Sequence, residues 1–144
     1  MRGKIFLDTN VIVYAYDSTD PEKQGKAQKI LRDGMISGDL VVSAQVVGEL
    51  FVVLTRKIPN PMTTAEAASL VQALGKLTVV EIGFVTVSLA VHIVMKGAVS
   101  YWDALIIAAA RIAGCTILLT EDLAEGPVFD DVTVANPFKE PMKR

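Results

Sequence analysis

Short apolar runs of β character alternate along this chain with longer segments of helical spacing, and that alternation, more than any single motif, restricts the folds open to it. Lys4–Leu7, Leu40–Ser43, Thr78–Ile82, Thr116–Thr120 and Val132–Ala135 read as strands. The spans between them are mostly too long for hairpin turns and carry apolar residues at helical spacing, so a parallel sheet with crossover helices is expected. Helix ends carry their own signals. Asp20-Pro21 is an N-cap followed by proline at the first helical position, and Gly38 is a stop. Further helices are predicted after Asp8-Thr9-Asn10, over Gln45–Lys57, from Thr63 or Thr64, through Val87 and Met95 to a stop at Gly97, and from near Ser100. The helix over Gln45–Lys57 is apolar almost all round and is expected to be substantially buried.

A length of 144 residues suits one domain over 1–144 with a continuous core. With 51% hydrophobic and 21% charged residues, disorder is excluded. One cysteine, Cys115, and one histidine, His92, allow neither an internal disulfide nor a Cys/His zinc cluster, which suits a reducing cytoplasm. The longest apolar stretch, Ala104 to Leu119, is broken by Arg111 and Gly114, so no membrane helix is expected. The start, MRGKIFLD, enters a strand at once and leaves no room for a secretory leader; a cytoplasmic protein is the expectation. A net charge of −2 argues against a basic stripe, so any contact with nucleic acid must rest on a metal and local cations.

Four acids stand where such a fold turns: Asp8 in IFLDTN, Glu49 in VVGELFVV, Asp103 in SYWDALII and Asp122 in LLTEDL. In open parallel sheets the ligand site lies beyond the carboxyl ends of the strands. Asp8 and Asp122 end strands, Asp103 begins a helix, and Glu49 lies about a turn into one, so the four are expected to meet at that edge. Together they would form an anionic pocket suited to a divalent cation and to phosphodiester cleavage. Each has a simpler reading as well. Asp8 and Asp103 can cap helices, the latter as part of Ser100-Tyr101-Trp102-Asp103. Glu49 can be an ordinary helix acid, and Asp122 cannot be separated from Glu121 by periodicity. Glu81 is a rival acid that would point away from the crevice if its strand lies at the sheet edge. His92 reads as a core-edge histidine, and Arg56 and Lys57 as favourable charges at a helix C-terminus.

Taken together, FLDTNVIVYAYD, SAQVVGEL, SYWDALIIAAARIAGCTILLTEDL and the terminal V-A-N-P-F at Val134–Phe138 resemble the PIN-domain family, specifically the toxin-like ribonucleases of prokaryotic toxin–antitoxin pairs. The resemblance runs end to end. It implies a three-layer α/β/α sandwich with a central parallel sheet, a Mg²⁺- or Mn²⁺-dependent endoribonuclease, an RNA substrate, a small antitoxin partner and a homodimer. It implies Asp8, Glu49, Asp103 and Asp122 as catalytic and metal-binding residues, with Asn10 and Thr120 as polar support, and it favours Asp122 over Glu121. A haloacid-dehalogenase-like phosphatase would need an acid two residues after its first aspartate, where this chain has Asn10. A catalytically silent PIN-like module that binds RNA or protein is the other alternative.

Overall fold

The computed structural model describes residues 3–97, 99–129 and 131–139. Lys4–Leu7 (β1) leads through Asp8 into Thr9–Tyr16 (α1), and Asp20 accepts a hydrogen bond from Lys23 N to start Pro21–Ser37 (α2). Gly38 ends α2 with φ +77°, a left-handed conformation that glycine adopts without penalty. Leu40–Ser43 (β2) is wholly buried, and its last residue caps Ala44–Arg56 (α3) by accepting from Val46 N at 3.2 Å. Thr64–Leu74 (α4) starts with a complete capping box between Thr63 and Glu66. Thr78–Val80 (β3), Phe84–Lys96 (α5), Tyr101–Ile112 (α6), Cys115–Leu119 (β4), Gly126–Phe129 (β5) and Val132–Ala135 (β6) follow.

The strands form a three-layer α/β/α sandwich's central sheet in the order β3-β2-β1-β4-β6-β5. The pairings among β3, β2, β1, β4 and β6 are all parallel, as expected; β5 pairs antiparallel with β6 and was not anticipated. Its opening Gly-Pro hides the strand, because proline lacks an amide to donate and is tolerated in sheets mainly at edges. The third strand is also shorter than predicted, ending at Val80, and the fourth begins and ends one residue earlier.

Phe6, Leu7, Val41, Val42 and Leu118 bury the sheet, and Ala104–Ala110 are buried in unbroken succession, so α6 is enclosed on every side over that span. The expectation for α3 needs correction. It buries one stripe, Val46, Leu50 and Leu54, at a spacing of four, while Val52 is 44% exposed on its outer face. α2 packs so closely over β2 that a Cβ on Gly34 would collide with Leu40. No helix among the described residues is long and apolar enough to cross a membrane.

Candidate active site

Chain direction across the sheet reverses between β1 and β4: β2 and β3 lie to one side of β1, and β6 lies beyond β4. Loops leaving these two central strands therefore diverge and leave a crevice at their carboxyl ends. A cleft of about 490 Å³ opens there, and Asp8, Asn10, Glu49, Asp103 and Asp122 all line it. The Asp8 amide donates to Leu119 O at 3.0 Å, tying the end of β1 to the end of β4.

Thr120 follows β4 immediately and is fully buried. Its hydroxyl donates to Asp8 Oδ2 at 2.8 Å and accepts from Asp122 N at 3.2 Å and from Asn10 Nδ2 at 3.3 Å, so one donor and two acceptor sites are all used. Asn10 Nδ2 also donates to Asp122 Oδ2 at 3.0 Å and lies 3.4 Å from Asp8 Oδ2, while its Oδ1 accepts from Glu121 N at 3.2 Å. Asp8 caps α1 and also borders the cleft. Its Oδ1 accepts from Thr9 N at 2.7 Å at the start of α1, and its Oδ2 faces the polar support of the cleft.

Glu49 reaches the same group from α3. Its Oε2 accepts from Thr9 Oγ1 at 3.1 Å and its Oε1 from Gln45 Nε2, one turn earlier, at 2.9 Å. Gln45 Oε1 is buried without a hydrogen-bond partner among the described residues. Asp103 lines the cleft from the third position of α6. Its backbone N donates to Ser100 Oγ at 3.1 Å, but the reciprocal bond that closes a capping box at Thr63 is not made at Ser100. The helix start is capped by Ser100, and the Asp103 carboxylate lines the cleft.

Burial pushes the Asp8 carboxyl above its ordinary range; hydrogen bonds from Thr120 and Thr9 oppose this, and the charges of Asp122 and Glu49 add to it. Among the described residues no three acids are already gathered at the spacing of a metal cage: the fold brings them to one cleft, not to one point.

The adjacent acids at the end of β4 part ways. Asp122 turns to Asn10, whereas Glu121 accepts from Tyr14 Oη at 2.7 Å and from Lys23 Nζ at 2.5 Å. Burial raises the Glu121 carboxyl, but the bonds from Lys23 and Tyr14 outweigh it and hold the group below its ordinary range. Glu81 is exposed beyond edge strand β3, away from the cleft, as anticipated for an edge position. His92 is exposed on α5 and not at the edge of the core. Lys57, the C-cap of α3, also lines the cleft and is the one cation among the described lining residues. Tyr14, Asp17, Gln45 and Trp102 also line it, and none of these four was singled out in the sequence as a site residue.

Solved structures with the same fold include VapC20 of Mycobacterium tuberculosis, described as a sarcin–ricin-loop-cleaving toxin. It is 19% identical with TM-score 0.63, over 80% of this chain and 87% of that one. A toxin–antitoxin complex from Klebsiella pneumoniae matches at 17% identity and TM-score 0.69, over 93% of this chain and 98% of that one. DNA-bound VapBC from Salmonella typhimurium matches at 15% identity and TM-score 0.66, over 95% and 99%. No curated protein matches the chain by sequence. At these identities the structural likeness speaks for the fold; membership comes from the family model of the PIN domain, which matches residues 5–131, and the chain therefore belongs to the PIN domain family.

Proposed function

We propose that this protein is a divalent-metal-dependent endoribonuclease and the toxin of a toxin–antitoxin pair. The observation that carries the reading is the cleft at the carboxyl ends of β1 and β4, where Asp8, Glu49, Asp103 and Asp122 line one cavity and Asn10 and Thr120 brace two of them. Family membership supports nuclease chemistry, and the structural neighbours described as toxins or toxin–antitoxin complexes support the biological setting.

The donor set fits Mg²⁺ or Mn²⁺. It consists of carboxylate oxygens with no nitrogen or sulfur ligand, and the buried Asp8 lacks a cationic partner among the described residues. Mg²⁺ commonly keeps several waters, so acids spread around a cleft can hold it partly through water. Asp8 and Asp103 would hold the ion directly, with Asp122 and Glu49 completing the shell. When bound, the ion would supply positive charge beside the scissile phosphate and Lewis acidity toward an attacking water. The chain's own side chains do the rest by position. Thr120 orients the Asp8 carboxylate, Asn10 fixes Asp122, and Lys57 offers a positive charge to an RNA phosphate in an otherwise anionic cleft. No covalent enzyme intermediate is required.

The apolar side chains exposed on α5, Phe84 at 84% and Met95 at 80% with Val85 and Val91 between them, suit a second copy of the chain, and we extend the reading to a homodimer. The antitoxin is expected from a short neighbouring reading frame, as a protein that co-purifies and suppresses cleavage. Incubating the purified chain with structured and unstructured RNAs in Mn²⁺ or EDTA tests the core of the reading. Cleavage of single-stranded or loop RNA that stops in EDTA supports it. RNA binding without cleavage would return the protein to the silent-module alternative.

A further inference from the structure

Beside the cleft lies a compact polar and aromatic group that the proposed chemistry does not use. Lys23 Nζ, from the first turn of α2, donates to Glu121 Oε2 at 2.5 Å and to Tyr14 Oη at 3.3 Å, and Tyr14 Oη donates onward to Glu121 Oε1 at 2.7 Å. Both Glu121 oxygens are thereby occupied. The ammonium lies 4.8 Å from the Tyr14 ring centroid and 5.7 Å from that of Phe138, and the two rings meet edge to face at 4.9 Å. Phe138 is brought there by the terminal V-A-N-P-F run: Asn136 Oδ1 accepts from Phe138 N at 2.9 Å, and Asn136 N donates to Glu125 at 3.1 Å. The last motif of the chain thus closes over a lysine that grips the acid next to Asp122.

Two neighbouring acids follow β4, and both line the cleft. A free Glu121 would add a mobile carboxylate next to Asp122 and compete with it for the same cation. Held by Lys23 and Tyr14, its charge is matched and its side chain pinned, while its backbone N holds Asn10 Oδ1 at 3.2 Å. We propose that Lys23 is a positioning residue of the active site, which acts through Glu121 to leave Asp122 as the only available carboxylate of the pair and to steady Asn10. The proposal rests on the metal-nuclease reading above.

Its test uses the full chain with Lys23→Met, Lys23→Arg, Glu121→Gln and the double variant Lys23→Met/Glu121→Gln. Two readouts are taken: the Mn²⁺ dissociation constant, from quenching of the fluorescence of Trp102, the chain's one tryptophan and a cleft residue, and kcat and KM on a single-stranded RNA. Lys23→Met unmatches a negative charge beside the cleft and is expected to tighten Mn²⁺ about threefold or more. It should lower kcat about tenfold with KM within about twofold, the pattern of a displaced group rather than lost substrate binding. Lys23→Arg keeps the pair and should stay near wild type. The double variant removes the loose charge and should bring both readouts back to within about threefold of wild type, as coupled residues do in a double-mutant cycle. Glu121→Gln alone should keep kcat within the same range, which holds the test open should Lys23→Met fold poorly. A Lys23→Met protein with unchanged kcat and Mn²⁺ affinity, or a double variant as impaired as the single one, overturns the proposal while leaving the nuclease reading intact. If the wild type neither binds Mn²⁺ nor cleaves RNA, the nuclease reading fails first and the positioning role with it.

Discussion

At the scale of single residues, burial sets the behaviour of Asp8, whose carboxyl is pushed above its ordinary range. A carboxyl whose folded pKa is raised holds its proton more tightly in the folded than in the unfolded chain. Its contribution to stability is therefore full below the ordinary value of 3.8 and is lost as pH rises through the folded pKa. Asp8→Asn removes that loss, and its Oδ1 can still accept from Thr9 N at the start of α1. The metal-free variant is expected to gain stability over wild type as pH rises through this window and to keep a constant advantage above it, as paired denaturant titrations would show. Cleavage should fall by about 100-fold or more, beyond the roughly 10–100-fold typical of groups that only support a metal ligand. Asp103→Asn separates capping from catalysis. Ser100 retains the cap, so the metal-free melt should stay level or rise, whereas loss of a helix-start charge by itself would cost about 0.3–1 kcal/mol. A lower melt together with an undiminished response to Mn²⁺ would make Asp103 a helix-start acid only.

At the scale of elements, α2 shows how one substitution takes its sign from packing. Gly25 faces open space, and Gly25→Ala should stabilise by roughly 0.5–1 kcal/mol, because alanine loses less backbone freedom in a helix. Gly34 lies against Leu40, itself 2% exposed in β2, so Gly34→Ala forces two packed elements apart. A net cost of about 1–3 kcal/mol is expected from overpacking, read as a lower denaturant midpoint with cleavage per folded molecule unchanged. The sequence marks α2 by Asp20-Pro21 and Gly38, yet nothing in it distinguishes these two glycines, since the difference is a distance across the fold. The same division runs through the other elements. Thr63 and Ser100 announced helix starts through local chemistry and both serve as caps, whereas Ser43, read only as the end of a strand, also caps α3. β5 stayed hidden because its Gly-Pro start suits only an edge, and edges are set by neighbours.

For the whole molecule, a divalent ion that binds only the folded chain stabilises it by roughly 2.7 kcal/mol at a hundredfold excess over its dissociation constant. For a chain near this size each kcal/mol moves the melting point by roughly 2–4 °C, or somewhat more, so Mn²⁺ should raise the wild-type melt by several degrees and EDTA should reverse it. Asp103→Asn should lose most of that gain. A wild-type melt indifferent to Mn²⁺ would sink the metal-site reading for the molecule as a whole.

The alternation of five parallel strands with helices, several of the helix starts and the placing of four acids at the turning points were already determined by the sequence, because each is written in short-range chemistry: apolar period, cap residue, turn residue. The family, too, was legible in the joint order of those motifs. Which acids share a cleft depends instead on the parallel pairing of β1 with β4, and the division of Glu121 from Asp122 depends on Lys23, 98 positions away in the chain. Periodicity carries no information across such distances. Only the tertiary structure, by bringing Tyr14, Lys23 and Phe138 together at Glu121 and Asn10 to Asp122, decided which partners each of the neighbouring carboxylates has.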